Sequence, residues 1–306
     1  MRALACAGRE FTMSAVTQDR EQVVAAAIRE ISHIATLPEI TVKVVELVEN
    51  PKSTAQDLHK VISMDPALCS RILKVVNSSF YGLPGQIGSI NRAIVMLGLN
   101  AVKNIAIAAS LAKLFRGGDL TPTFSARDLW THCNTTAAAA KIIANAMKLG
   151  LSDEAFLAGL IHDIGIMVEM QADRNKLIEV LRRVGADSKG VPATDFMEAE
   201  LAIFGATHED FGAALCEKWK FPKSFTMVTG FHHKPMQLPA ENRTLTAIIY
   251  VADRLAADIG AGFRQDLMST EVSAEVLETL KISTERLNEL RQQVAAQAKD
   301  AANILL

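Results

Sequence analysis

The sequence predicts an all-α chain in two lobes, an N-terminal helical bundle packed on a second helical lobe. Three observations lead there. Apolar residues recur three and four positions apart in most segments, which is the helical period. Pro, Gly and Asp-Pro signals cut the chain into short helical lengths. Residues 20–116 carry no strand signal. The predicted organisation is an extension over residues 1–20, a helical lobe over 21–118, a second helical lobe over 119–262 and a helical tail over 263–306.

Residues 1–20 say little. Met1 to Gly8 faintly resembles a signal peptide, but the apolar part is short and Arg9 and Glu10 interrupt it; a start at Met13 accounts for it equally well. Val23, Val24, Ala27, Ile28, Ile31 and Ile34 then make one stripe, ending before Pro38. Ile40, Val44, Leu47 and Val48 make a second, ending at Asn50-Pro51. Ser53 and Thr54 can cap a third helix with Leu58, Val61 and Ile62. Asp65-Pro66 opens the next, with Asp as N-cap and Pro at the first helical position. A loop over 77–88 follows, then a helix over 90–97 stopped by Gly98, then an apolar helix over 102–115. Arg116-Gly117-Gly118-Asp119-Leu120-Thr121-Pro122 is the break between lobes.

Beyond the break, helical patterns cover 135–147, 153–168, 174–184 and about 192–203. Thr207 is the N-cap of a helix that begins at His208, with Asp210 three residues on. A helix over 225–231 is stopped by Pro235, and another covers 245–255. In the tail, Val272, Val276, Leu277 and Leu280, then Leu287, Leu290 and Val294, mark two amphipathic helices. They pack on the body or against a second copy, so a homodimer through the tail is one predicted assembly.

Composition narrows the class. With 49% hydrophobic and 22% charged residues, the chain can bury a real core. A net charge of −2 does not favour non-specific nucleic-acid binding. There is no run of 18 uncharged apolar residues, so no membrane span is predicted. Cys6, Cys69, Cys133 and Cys216 form no CxxC and read as reduced core thiols of a cytoplasmic protein. Cys133 and Cys216 could instead be soft metal ligands.

The stretch richest in chemistry is residues 158–168, where His162-Asp163 stands in an almost wholly apolar run. The period of Phe156, Leu157, Leu160, Ile161, Ile164 and Met167 puts the pair on or near the inner face of a buried helix. A buried carboxylate is costly unless paired or metal-bound. A lone His–Asp pair reads as readily as a cap for a neighbouring helix, but five of the seven histidines, His132, His162, His208, His232 and His233, fall within residues 132–233 beside apolar helical patterns. Asp253 is a second carboxylate in an apolar helix without a sequence partner. Imidazole and carboxylate together suit Fe, Mn or Zn. Two adjacent ions need about this many ligands, with one carboxylate between them.

Other candidates are weaker. Arg71, Lys74 and Asn77 lie along one helix and would bind a partner or an anion, or else form a solvated face. The glycines of 82–88 match no phosphate-binding loop. Glu198 and Glu200 could support the histidines from behind, or else be solvent-facing charge. His33 and His59 are isolated.

In order, His132, His162-Asp163, His208, His232-His233 and Asp253 resemble the metal-dependent phosphohydrolases of the HD superfamily, above all the two-metal arrangement of the HD-GYP phosphodiesterases of cyclic dinucleotides. Leu37-Pro38-Glu39, Asp65-Pro66-Ala67-Leu68, residues 71–78, Tyr81-Gly82, Ile90 to Ile94 and Leu97-Gly98 resemble the sibling HDOD (HD-related output domain) family. So do Phe204 to His208 and Trp219-Lys220-Phe221-Pro222. The likeness covers roughly residues 30–260 and implies two metal ions. Asp163 would bridge them, with His132, His162 and Asp253 completing one site and His208, His232 and His233 the other. Asp128 stands where some HD-GYP proteins place a ligand of a third ion.

Two departures separate the chain from HD-GYP chemistry. The lysine that the resemblance expects four residues after the motif histidine is Ile166, which would narrow and dry the approach to the metals; Ile166→Lys is then expected to raise phosphate binding. The GYP loop is replaced by Lys234-Pro235-Met236-Gln237-Leu238-Pro239, in which Lys234 could serve as the phosphate cation. Two function classes follow. One is a signalling output module that binds a protein or a nucleotide, its metal site structural or ligand-sensing. The other is a phosphohydrolase whose two ions activate water.

Overall fold

A computed structural model of the protein describes residues 7–31, 38–50, 52–112, 114–115 and 118–302. His33, Leu37, Cys6 and part of the 116–122 break lie outside the described residues, so the expectations attached to them stay with the sequence.

The fold is all-helical. The N-terminal half runs α1 (Ala7–Glu30), α2 (Glu39–Glu49), α3 (Ala55–Ser63), α4 (Pro66–Val76), α5 (Ile90–Leu97) and α6 (Leu99–Leu111). The starts follow the sequence signals. Thr54 and Asp57 form a capping box on α3, and Asp65 caps α4 with Pro66 at its first position. Gly98, at φ +89°, turns α5 into α6. α6 is apolar all round and buried from Ala101 to Leu111, and it packs against α2, α4 and α5 on one side and the second lobe on the other. Its single lysine, Lys103, is held by the Leu47 carbonyl (2.6 Å) and Ser53 Oγ (2.7 Å). Arg71 and Asn77, candidate binders in the sequence, serve the scaffold instead: Arg71 Nε donates to the Ala109 carbonyl, and Asn77 pins the 77–88 loop through both Ile87 backbone groups.

A hairpin of β1 (Asp119–Thr121) and β2 (Phe124–Ser125) joins the halves. The sequence predicted only a break there; Pro122 sets the turn, and the strands are too short to carry an alternation signal. The second lobe runs α7 (Ala126–Ala146), α8 (Ser152–Ile161), α9 (Ile164–Ala172), α10 (Arg174–Val184), α11 (Phe196–Ile203), α12 (His208–Lys218), α13 (Lys223–Phe231) and α14 (Arg243–Asp258). α7 is the central rod, with α8, α14 and the tail helix packed around it. The tail forms α15 (Ala274–Leu280) and α16 (Thr284–Ala302), whose Leu287, Leu290 and Val294 are buried against their own lobe. α1 reaches across to α9 and α12, with Lys218 Nζ donating to the Ile28 carbonyl.

Residues Ser152–Ala172 are apolar and long enough to cross a membrane, with mean hydropathy 1.3, but 89% of that window is buried inside the fold. The stretch is also not one helix. α8 stops at Ile161 and α9 starts at Ile164, with His162 and Asp163 in the break. The sequence placed the pair on a continuous helix. Apolar periodicity runs on through a one-turn break, because the residues on both sides still face the core.

Candidate metal centre

Five elements deliver the seven side chains that the sequence singled out, and the structure brings all seven together. His132 comes from α7, His162 and Asp163 from the α8–α9 break, and His208 from the first turn of α12. His232 and His233 follow α13, and Asp253 lies in α14. Six of them are wholly buried, and the His233 side chain is 7% exposed. The close approach of α9 to α12 depends on Gly165. A β-carbon there would sit 1.9 Å from the His208 carbonyl oxygen, so any larger residue would push His208 away from Asp163.

The donors fall into two groups on either side of Asp163. Its Oδ2 lies 3.2 Å from His162 Nε2 and 3.6 Å from His132 Nε2. Its Oδ1 lies 3.3 Å from His232 Nε2 and 3.9 Å from His208 Nε2. Asp253 Oδ1 joins the first group, 3.1 Å from His132 Nε2. His233 joins the second, its Nε2 3.0 Å from that of His208.

The outer ring atoms fix what the inner ones present. His162 Nδ1 donates to the Gly159 carbonyl (2.7 Å) and His232 Nδ1 to the Thr229 carbonyl (3.3 Å). A carbonyl only accepts, so these Nδ1 atoms carry protons and Nε2 is the atom left to face inward, with a lone pair whenever the ring is neutral. His208 Nδ1 meets the Glu200 carboxylate at 2.8 Å, the usual way a ligating histidine is oriented. Two pairs of Nε2 atoms thus stand 3.0–3.3 Å apart. All four oxygens of Asp163 and Asp253 are buried without a hydrogen-bond partner. Ring nitrogens facing one another around orphaned carboxylates is an arrangement that cations between them would satisfy, and the donors are of the types that Fe, Mn and Zn take. The residues present therefore fit a metal centre, His132, His162, Asp163 and Asp253 on one side and Asp163, His208, His232 and His233 on the other.

The carboxylates and histidines set one another's charge. Burial works against ionised Asp163, yet His162 and His232 outweigh it and hold the carboxyl well below the usual range. Burial likewise opposes charge on His162, but Asp163 and Asp253 push it up to about 9. Burial, reinforced by His232 and His208, drives His233 well below its normal value, so it stays neutral with a lone pair to offer. The thiols do not compete. Burial raises Cys133 well above its ordinary range and Cys216 to about 12, and both are packed in the core.

Several sequence readings need correction. Glu200 is not solvent-facing: it is wholly buried on α11 and orients His208, whereas Glu198 is exposed. Behind it sits Glu169, also wholly buried, its carboxyl raised by burial and by Glu200 beside it. Nothing in the residue pattern distinguishes such glutamates from surface ones. Glu209 accepts the His233 backbone amide (3.1 Å). Asp128 is exposed and accepts from Ser125 Oγ at the start of α7, so it lies in a helix cap and not among the buried donors. Ile166 is fully buried in α9, and Lys234 is exposed beside a cavity of about 550 Å³ that none of the seven donors lines. A lysine at 166 would bury an ammonium group, so the expected gain in phosphate binding does not follow. Asp266, absent from the sequence reading altogether, is buried against His233.

With the fold and the cluster in view, the chain belongs to the HDOD family, whose domain model matches residues 34–235. It is 26% identical over 238 residues to an uncharacterized protein of Treponema pallidum (strain Nichols), covering 77% of this chain and 45% of that one. The chain thus spans about half the length of this curated relative. Among solved structures, an HDOD domain protein of unknown function from Geobacter sulfurreducens superposes with TM-score 0.78 at 20% identity, over 94% of this chain and 98% of that chain. A protein provisionally named a phosphohydrolase from Shewanella amazonensis SB2B gives TM-score 0.71 at 22% identity, over 93% and 98%. One provisionally named a signal transduction protein from Marinobacter aquaeolei VT8 gives 0.75 at 21%, over 94% and 66%. At these identities the likeness is one of fold.

Proposed function

We propose that the chain is a cytoplasmic signal-transduction module whose buried centre holds two transition-metal ions, iron or manganese ahead of zinc, and which works by binding a protein or a nucleotide. The observation that carries this is the closure of the centre. Six of the seven donors are wholly buried, and metal sites closed on all sides are structural, whereas catalytic ones keep a position open. The donor set itself and the provisional name of the Shewanella protein favour phosphohydrolysis as the second reading. Against it stand buried Ile166 and the separate placement of Lys234, which leave neither the expected lysine nor its substitute at the centre; the cation that does stand there, Arg254, is buried against Asp253 at 3.7 Å. A homodimer through the tail would have to use the outer faces of α15 and α16, since Val276, Leu280, Leu287, Leu290 and Val294 already pack inward.

Elemental analysis of protein purified without chelator tests the reading. About two transition-metal ions per chain are expected, as a two-metal centre requires. A content near zero would contradict it.

A further inference from the structure

Asp253 is followed by one more turn of α14, and the chain then folds back across α7. Gly262, at φ +80°, makes the contact: a β-carbon there would stand 2.3 Å from the Asp128 carbonyl oxygen and 2.8 Å from the His132 amide nitrogen. Only glycine allows backbone to approach backbone so closely in that conformation. The Phe263 amide donates to the Asp128 carbonyl, and its ring packs edge-on against Phe124 and Phe196 and beside His132. Gln265 Nε2 donates to the Thr123 carbonyl at 2.6 Å, and Leu267 is buried. Residues 262–267 are thus latched over the centre on both sides of Asp266.

Asp266 is aimed inward. Its side chain is fully buried, with Oδ2 3.6 Å from His233 Nε2. Ligand atoms of Asp266, His233 and Asp253 all lie within 4.8 Å of one another. Asp253 belongs to the half with His132, and His233 to the half with His208, so Asp266 faces both halves, as Asp163 does. Neither of its oxygens has a hydrogen-bond partner. A carboxylate buried in that state is costly unless a cation meets it or it takes up a proton, and burial beside Asp163 and Asp253 pushes this carboxyl up. It also lies outside residues 34–235, the extent of the HDOD match.

The geometry points to Asp266 as a further carboxylate ligand that spans both halves of the centre and fills the position a hydrolase keeps for substrate, so that residues 260–268 form a plug carried by the chain itself. This rests on the metal-centre reading above. Displacement of that one segment, with the ligand helices left in place, opens the centre to a phosphate-bearing ligand.

The test uses the full chain loaded with Mn(II), inorganic phosphate as the probe, and the Mn(II) EPR spectrum as the readout. The unmodified protein is expected to be silent to phosphate. The D266N variant, which trades a charged ligand for a weak neutral one, is expected to hold manganese less tightly through the seven other donors and, at saturating Mn(II), to respond, with phosphate affinity higher by about tenfold, the scale on which changes around a metal act. Q265A, which removes only the latch to the Thr123 carbonyl, is expected to shift the same way to a smaller degree and serves if D266N folds poorly. The plug is overturned if phosphate perturbs the unmodified protein as strongly as the variants, if neither variant responds, or if D266N takes up no manganese even at saturating Mn(II), since Asp266 would then build the centre rather than close it. A chain that takes up no metal at all removes the reading beneath the plug and the plug with it; a chain that binds metal but behaves like D266N overturns the plug alone.

Discussion

Asp163→Ala is expected to empty the centre, and to do so more completely than His132→Ala. The two oxygens of Asp163 face different groups of donors, Oδ2 toward His132 and His162 and Oδ1 toward His208 and His232. Its loss removes a ligand from both halves and leaves five histidines and Asp253 facing one another in the core. His132 serves one half, where His162 and Asp253 remain. Changes one shell further out commonly cost roughly 10- to 100-fold in metal affinity, so losing the shared carboxylate should exceed that range. Metal retained after competition with a chelator, measured on the two variants side by side, checks the order. Equal retention would mean that Asp163 does not bridge.

Ile166→Lys is expected to destabilise the fold strongly. Ile166 is fully buried in α9, so a lysine there would have to reach Asp163 or Glu169, three residues to either side and buried as well, or lie uncompensated. An uncompensated buried charge costs several kcal/mol, a large part of the roughly 5–15 kcal/mol that holds a domain folded. Urea denaturation should show a large fall in midpoint or no cooperative transition, with no gain in phosphate binding. A stable variant that binds phosphate would restore the HD-GYP picture, in which this position opens onto the metals.

Much of this site was legible before any coordinates. Thr207 and Asp210 announce a capping box, and the box fixes where α12 starts and hence where His208 stands. Pro235 stops the chain just after His232 and His233. The apolar runs around His162 and Asp253 say that both are buried, and a buried carboxylate demands a partner. What stayed hidden has physical reasons. The break between α8 and α9 interrupts hydrogen bonding without interrupting burial, so periodicity passes over it. Glu200 and Glu169 sit on helices whose other positions include exposed polar residues, and a sequence does not say which glutamate turns inward. Asp266 is carried by an irregular segment whose path is set by one backbone contact at Gly262, and a single glycine after a helix reads only as a stop.

The central claim is that this centre is closed and serves binding rather than turnover. Release of product from cyclic di-GMP and from a generic phosphodiester tests it most directly, with Fe or Mn supplied under reducing conditions. Positioning of a phosphate can supply several kcal/mol of such a barrier, and here Ile166 is buried and Lys234 stands apart from the seven donors. The expected result is no turnover, or only a trace of it, by metal-loaded protein. Robust turnover that disappears in Asp163→Ala would contradict the account and make the chain a phosphohydrolase.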